Sequence, residues 1–131
     1  MTRRLSALQV GIGHIAFGSC LLARPERTAG LLIGKRSPVP AAWLVRILGA
    51  RLLIQGFAEA ALQDQAALVA GVGLDGVHAL SMVPFTLHGR FRRAATTSAA
   101  LALISAGVAI GVIQAERLTQ ARAVEVEAPA R

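Results

Sequence analysis

Residues 100–113 read "ALALISAGVAIGVI", with one hydroxyl and no charge. The reading of this stretch decides the fold. A helix at the surface of a soluble protein keeps a polar face opposite its apolar stripe. Residues 100–113 offer water no such face, and residues 5–23 likewise carry no charge. Both read as membrane spans. Composition points the same way: 54% of the 131 residues are hydrophobic and 16% are charged. Soluble domains carry about 25% charged residues.

A hydrocarbon core about 30 Å thick needs about 20 apolar residues of helix. Four segments qualify, at residues 5–23, 40–62, 65–88 and 94–115. The first stops at Arg24, because the residue before Pro25 is pushed out of the helical region. The second is entered through Ser37, Pro38 and Pro40, which suit a helix start. "TAGLLIG" (residues 28–34) is too short to cross, so it belongs at the interface or under the bundle. The link near Gln63 and Asp64 is short enough to make spans two and three a tight antiparallel hairpin. The expected fold is all-α: a bundle of four transmembrane helices with antiparallel neighbours, a membrane domain over residues 1–116, and a polar tail over 117–131. That tail should extend the last helix and then fray into disorder.

The net charge of +7 raises nucleic acid as a partner, and the pattern excludes it. The cations lie in short clusters at the ends of apolar runs: Arg3 and Arg4, Arg24 and Arg27, Lys35 and Arg36, and Arg90 to Arg93. No basic stripe is interleaved with aromatics, as nucleic-acid binding requires. Such clusters instead set topology and touch anionic lipid. Loops one and three hold seven Lys or Arg, against five on the side of the termini and loop two. This places loops one and three in the cytoplasm, although Arg3 and Arg4 pull the other way. Cys20 is the single cysteine, so no internal disulfide forms. Phe17 is a poor residue for the lipobox position ahead of it, and Cys20 reads as a packed thiol.

The ionisable residues inside the spans are the main functional signal. Depth follows from a rise of about 1.5 Å per residue, counted from the loop-two side. His14 lies about 14 Å in, Arg51 about 16 Å, Asp75 and Ser105 about 15 Å, and His78 about 20 Å. Each span thus brings a polar side chain close to mid-bilayer. The helical faces agree: Gly11, His14 and Gly18 share one face, Arg51, Gln55 and Glu59 a second, and Gly71, Asp75, His78, Met82 and Phe85 a third. Gly107 and Gly111 form a GxxxG pair that would admit a neighbouring helix.

Energetics favour pairing within this layer. A central Arg or Asp costs about 2.5–3.5 kcal/mol on insertion, while Leu, Ile, Val and Phe each return about 0.3–0.6. The eight such apolar residues between 41 and 60 contribute roughly 4 kcal/mol. Arg51 alone nearly cancels that. Arg46 lies towards loop one and can snorkel. Asp75 is the acid at matching depth, so an Arg51–Asp75 ion pair is expected, with His14, Gln55 and His78 bonded around it.

That layer has two readings. It locks the bundle as a structural ion pair, or it serves as a site for protons, quinone or a small ligand. Two histidines and one acid without a close i, i+4 ligand pair do not suggest a metal site. The GxGxxG match at Gly71, Gly73 and Gly76 lies inside a span rather than between a strand and a helix, so it is no nucleotide loop. Its glycines would instead allow close packing around Asp75. The His/Asp/Ser coincidence has no evident water supply, and no catalytic residue is assigned.

A glycine- and histidine-bearing first span, a proline-bearing loop, "RILGARLLIQG" (residues 46–56), "DGVHALSM" (75–82) and "RFRRAA" (90–95) before a plain last span resemble small bacterial four-helix membrane proteins of uncharacterised type. The layout is similar to the DoxX-like group. That resemblance implies a multi-pass protein of the bacterial inner membrane, and the group's association with quinone-linked redox chemistry implies a quinone or a respiratory partner. Two functions follow. One is a non-enzymatic accessory or assembly subunit docking on other membrane subunits or on copies of itself. The other is a proton-, quinone- or ligand-handling protein built on Arg51, Asp75 and His78.

Overall fold

The computed structural model describes residues 6–34, 38–87 and 89–127. Arg3 and Arg4, the Lys35 and Arg36 cluster, Ser37, His88 and the end of the tail lie outside the described residues. The chain is all-helical, with α1 Ala7–Ala23, α2 Pro25–Ile33, α3 Ala42–Leu62, α4 Gln65–Leu87 and α5 Arg92–Glu127. The described residues contain no strand.

Local chemistry explains the boundaries. The Ser6 N–H donates to Gln9 Oε1 at 3.0 Å, the return half of a capping box that starts α1. Arg24 leaves helical geometry before Pro25, which opens α2 at N1. The two helices meet there at a bend of 112°. α3 closes on Gln63 in the left-handed region, at φ 49°. Asp64 Oδ1 then accepts the Ala67 N–H at 2.7 Å and starts α4. α5 continues through Glu127, so the helical part of the expected tail reaches that residue.

By length and composition, α4 and α5 can each cross a membrane, and the bent α1–α2 pair can supply a third crossing. α3 does not pass on composition, because Arg46, Arg51 and Glu59 lie along it.

Packing departs from the expected hairpin. α3 and α4 are consecutive yet touch only sparingly; α1 packs along α3, and α4 along α5. Glycines explain the first pairing. Gly11 meets the backbone of Gly56 and Ala60, and Gly18 meets Gly49 and Leu53. These contacts run antiparallel and bring the two backbones together. The short segment after α1 is α2, which folds back onto α1, α3 and α5.

Two apolar clusters bracket the middle of the bundle. At the loop-two end, Ala7, Leu68, Ala109, Val112 and Ile113 pack together. At the other end, Leu21, Ala29, Val45 and Leu52 do so. Between them lie buried polar side chains, while large apolar ones point outward. Glu59 is 1% exposed and Asp75 2%, against 72% for both Ile54 and Leu80.

Candidate functional site

The buried polar residues form two adjoining groups. The first gathers on Glu59. His14 Nδ1 lies 2.7 Å from Glu59 Oε2, and Gln55 Nε2 donates to Glu59 Oε1 at 3.1 Å. His14 Nε2 lies 2.7 Å from Ser105 Oγ on α5. With the carboxylate accepting from Nδ1–H, a neutral ring accepts at Nε2 from the Ser105 hydroxyl, and a protonated ring donates to it. Either charge state is fully bonded. Gly71 of α4 closes the group from the other side: a Cβ there would stand 2.6 Å from Glu59 Oε1 and 2.9 Å from Gln55 Nε2. This glycine makes room for the carboxylate.

The second group lies one helical turn along α3. Arg51 Nη2 donates to Asp75 Oδ1 at 2.8 Å, joining α3 to α4. Beyond it, His78 Nε2 lies 2.8 Å from Ser98 Oγ on α5. Between the two groups, Gln55 Oε1 is buried with no hydrogen-bond partner among the described residues.

A cavity of about 540 Å³ opens beside the second group, where α3 and α4 stand apart. Its walls are almost wholly apolar and include Leu21, Leu44, Leu48, Met82, Phe85 and Leu101. The polar side chains that line it are Arg51, His78, Thr97 and Ser98. Asp75 accepts from Nη2, and Arg51 is also one of the residues that line the cavity. The pocket therefore has an apolar body and a hydrogen-bonding inner end.

The sequence-derived layer is thus divided. Arg51 and Asp75 meet. His14 and Gln55 do not bond to that pair, because Glu59 takes both; His78 bonds to Ser98 instead. Gly11 and Gly18 sit at backbone contacts. Gly107 and Gly111 do not: a Cβ on either meets nothing within 4 Å, since both lie on the outer side of α5. Gly73 and Gly76 are equally open, and of the three motif glycines Gly71 alone is closely packed. Cys20 is exposed rather than packed, because the buried face of α1 runs through Ala7, Gly11, His14, Gly18 and Leu21.

Glu59 is the residue that the expected polar layer left out. In the register set by Gly11 against Gly56 and Ala60, its Cα lies about 6 Å nearer the loop-two end than that of His14, about four residues at about 1.5 Å each. Helical side chains lean towards their own N-terminus. In the antiparallel α1–α3 pair, His14 and Glu59 therefore lean towards each other and close the gap. The signal was present, since Glu59 shares a face with Arg51 and Gln55. Ser98 shares the Ser105 face at i−7. Gly49 and Gly56 repeat the seven-residue spacing of Gly11 and Gly18.

Ser105, His14 and Glu59 stand in the order of a hydrolytic triad. However, Ser105 lies inside α5, where backbone N–H groups are committed to the helical ladder and cannot serve an oxyanion. The cavity, moreover, is lined by neither Ser105 nor His14. Among the described residues no group of three or more His, Cys, Asp or Glu could hold a metal ion. No family model, curated protein or solved structure matches the chain.

Proposed function

We propose that this chain is a four-span membrane protein that binds a lipid-soluble, amphipathic small molecule in the cavity beside Arg51. In this reading α1, α3, α4 and α5 cross the bilayer, and α2 lies at its interface. The distribution at the middle of the helices supports it: Gln55, Glu59 and Asp75 are buried, while Ile54, Val77 and Leu80 face outward, as lipid requires. α3 crosses because Asp75 satisfies Arg51, and Gln55 and His14 satisfy Glu59, within the bundle, while Arg46 lies near the loop-one end.

The cavity is the observation that carries the ligand reading. The Arg51–Asp75 pair is neutral as a unit, so the inner end suits an uncharged acceptor such as a carbonyl oxygen. Arg51 donates to it, and His78 or Ser98 completes its hydrogen bonding. An apolar tail fills the rest. A quinone has this chemistry, and the resemblance to the DoxX-like group points to the same class. The resemblance and the basic loops also favour a bacterial inner membrane with loops one and three in the cytoplasm.

The test is extraction of the protein purified in mild detergent, with mass analysis of small molecules that co-purify. A quinone or similar carbonyl-headed lipid should accompany the wild type and be lost from Leu101→Trp, which puts an indole into the cavity while leaving every polar side chain in place. An empty wild type that also fails to take up added ubiquinone would overturn the reading. A second reading, an accessory subunit docking on other membrane proteins or on itself, is favoured by Gly107 and Gly111. Their open outer face would admit a neighbouring helix.

A further inference from the structure

The bend between α1 and α2 creates a second concavity that the cavity ligand does not use. Arg24 and Arg27 are carried by the bend, and Arg46 stands on the second turn of α3. Together with Pro25, Glu26 and Ala42 they line an open bowl of about 620 Å³. None of the three guanidiniums has an ion-pair partner among the described residues. Three cations against the single acid Glu26 leave the bowl at +2. Like charges held together by the fold repel unless an anion joins them. α2 and α3 both begin at its rim without a side-chain cap bond, which adds positive dipole to the arginines.

The flanks of the bowl distinguish a lipid from a free anion. Trp43 lies one turn from Arg46 on the same face of α3 and is 61% exposed. Leu31 lies one turn beyond Arg27 on α2 and is 76% exposed. Ile47 and Ile54 continue the exposed side of α3 inward. Tryptophan at headgroup level and aliphatic residues below it are what an acyl chain meets once its phosphate is seated. We propose that Arg24, Arg27 and Arg46 bind the phosphate of an anionic phospholipid, with its chains lying along α3. The bowl sits at the level where α2 meets the interface, so this inference rests on the membrane reading.

The experiment uses the full chain in nanodiscs and native mass spectrometry of the lipids it retains. Wild type should retain phosphatidylglycerol over phosphatidylcholine. Arg24→Gln with Arg46→Gln should weaken that preference about tenfold or more, each basic residue near a headgroup being worth about 1 kcal/mol. Arg24→Lys with Arg46→Lys should keep most of it, and Arg90→Gln, whose guanidinium lies 5.8 Å from the Phe91 ring outside the bowl, should keep all of it. Equal retention of the two lipids by wild type, or unchanged preference in the double Gln variant with native helicity, overturns the proposal. So does displacement of the lipid by millimolar inorganic phosphate, which would mark a free-anion site. Flotation with liposomes separates the two readings: a chain that floats but shows no preference sinks this one alone, and a chain that does not float sinks both.

Discussion

Gly18→Ala tests the seam on which the bundle is assembled. The new Cβ would stand 2.7 Å from Gly49 O and 2.9 Å from Leu53 N, both backbone atoms that no rotamer change can move. Ordinary contact begins near about 3.4 Å, so α1 and α3 must part locally by about 0.7 Å. A gap of that size forfeits a quarter to a half of the dispersion well for the atoms along it. It also stretches the His14–Glu59 bond, now 2.7 Å. Overpacking of this kind costs about 1–3 kcal/mol, and the helix regains about 0.5–1 kcal/mol when glycine becomes alanine. Relative to an alanine that gains propensity without a clash, the loss should be about 1–3 kcal/mol. Gly107→Ala is the matched control, because its Cβ meets nothing and the propensity gain stands alone. Unfolding in detergent by SDS titration, followed by far-UV circular dichroism, reads both. If Gly18→Ala unfolds at the same or a higher SDS fraction than Gly107→Ala, the close-contact argument is wrong.

Glu59→Ala should destabilise by about 3 kcal/mol in the same titration, because it strands His14 Nδ1 and Gln55 Nε2 as buried groups without partners. Glu59→Gln keeps an acceptor oxygen and should lose clearly less. Arg51→Asp and Asp75→Arg should each lower accumulation of folded protein, and the two together should restore it; a double variant no better than either single one would refute a specific pair.

Much of the architecture was legible because single residues dictate it. Arg24 before Pro25 ends α1, Gln63 and Asp64 turn α3 into α4, and the matched depths of Arg51 and Asp75 bring them together. What escaped depends on side-chain direction and on shape. Counting Cα depth puts Glu59 near the end of its span, although its side chain leans inward to His14. The short loop pointed to α3 packing on α4, yet four glycines without side chains draw α3 to α1 instead. The cavity follows from that choice, since a helix held by α1 cannot also close on α4. A void left by pairing preference has no residue of its own to announce it. Gly107 and Gly111 show the converse: their spacing suits a contact that the fold does not make.

The apolar cluster of Ala7, Leu68, Ala109, Val112 and Ile113 makes the polar interior a cul-de-sac. Each of its helical faces continues directly from a polar residue, Ala7 from His14, Leu68 from Asp75, and Ala109 and Val112 from Ser105. Under the proposed ligand reading, whatever enters the cavity beside Arg51 leaves by the door it entered. Occupancy is then governed by exchange with one side alone. On that reading, such a chain would store the molecule or hand it over, and any directional transport would have to be imposed by a neighbour at that doorway.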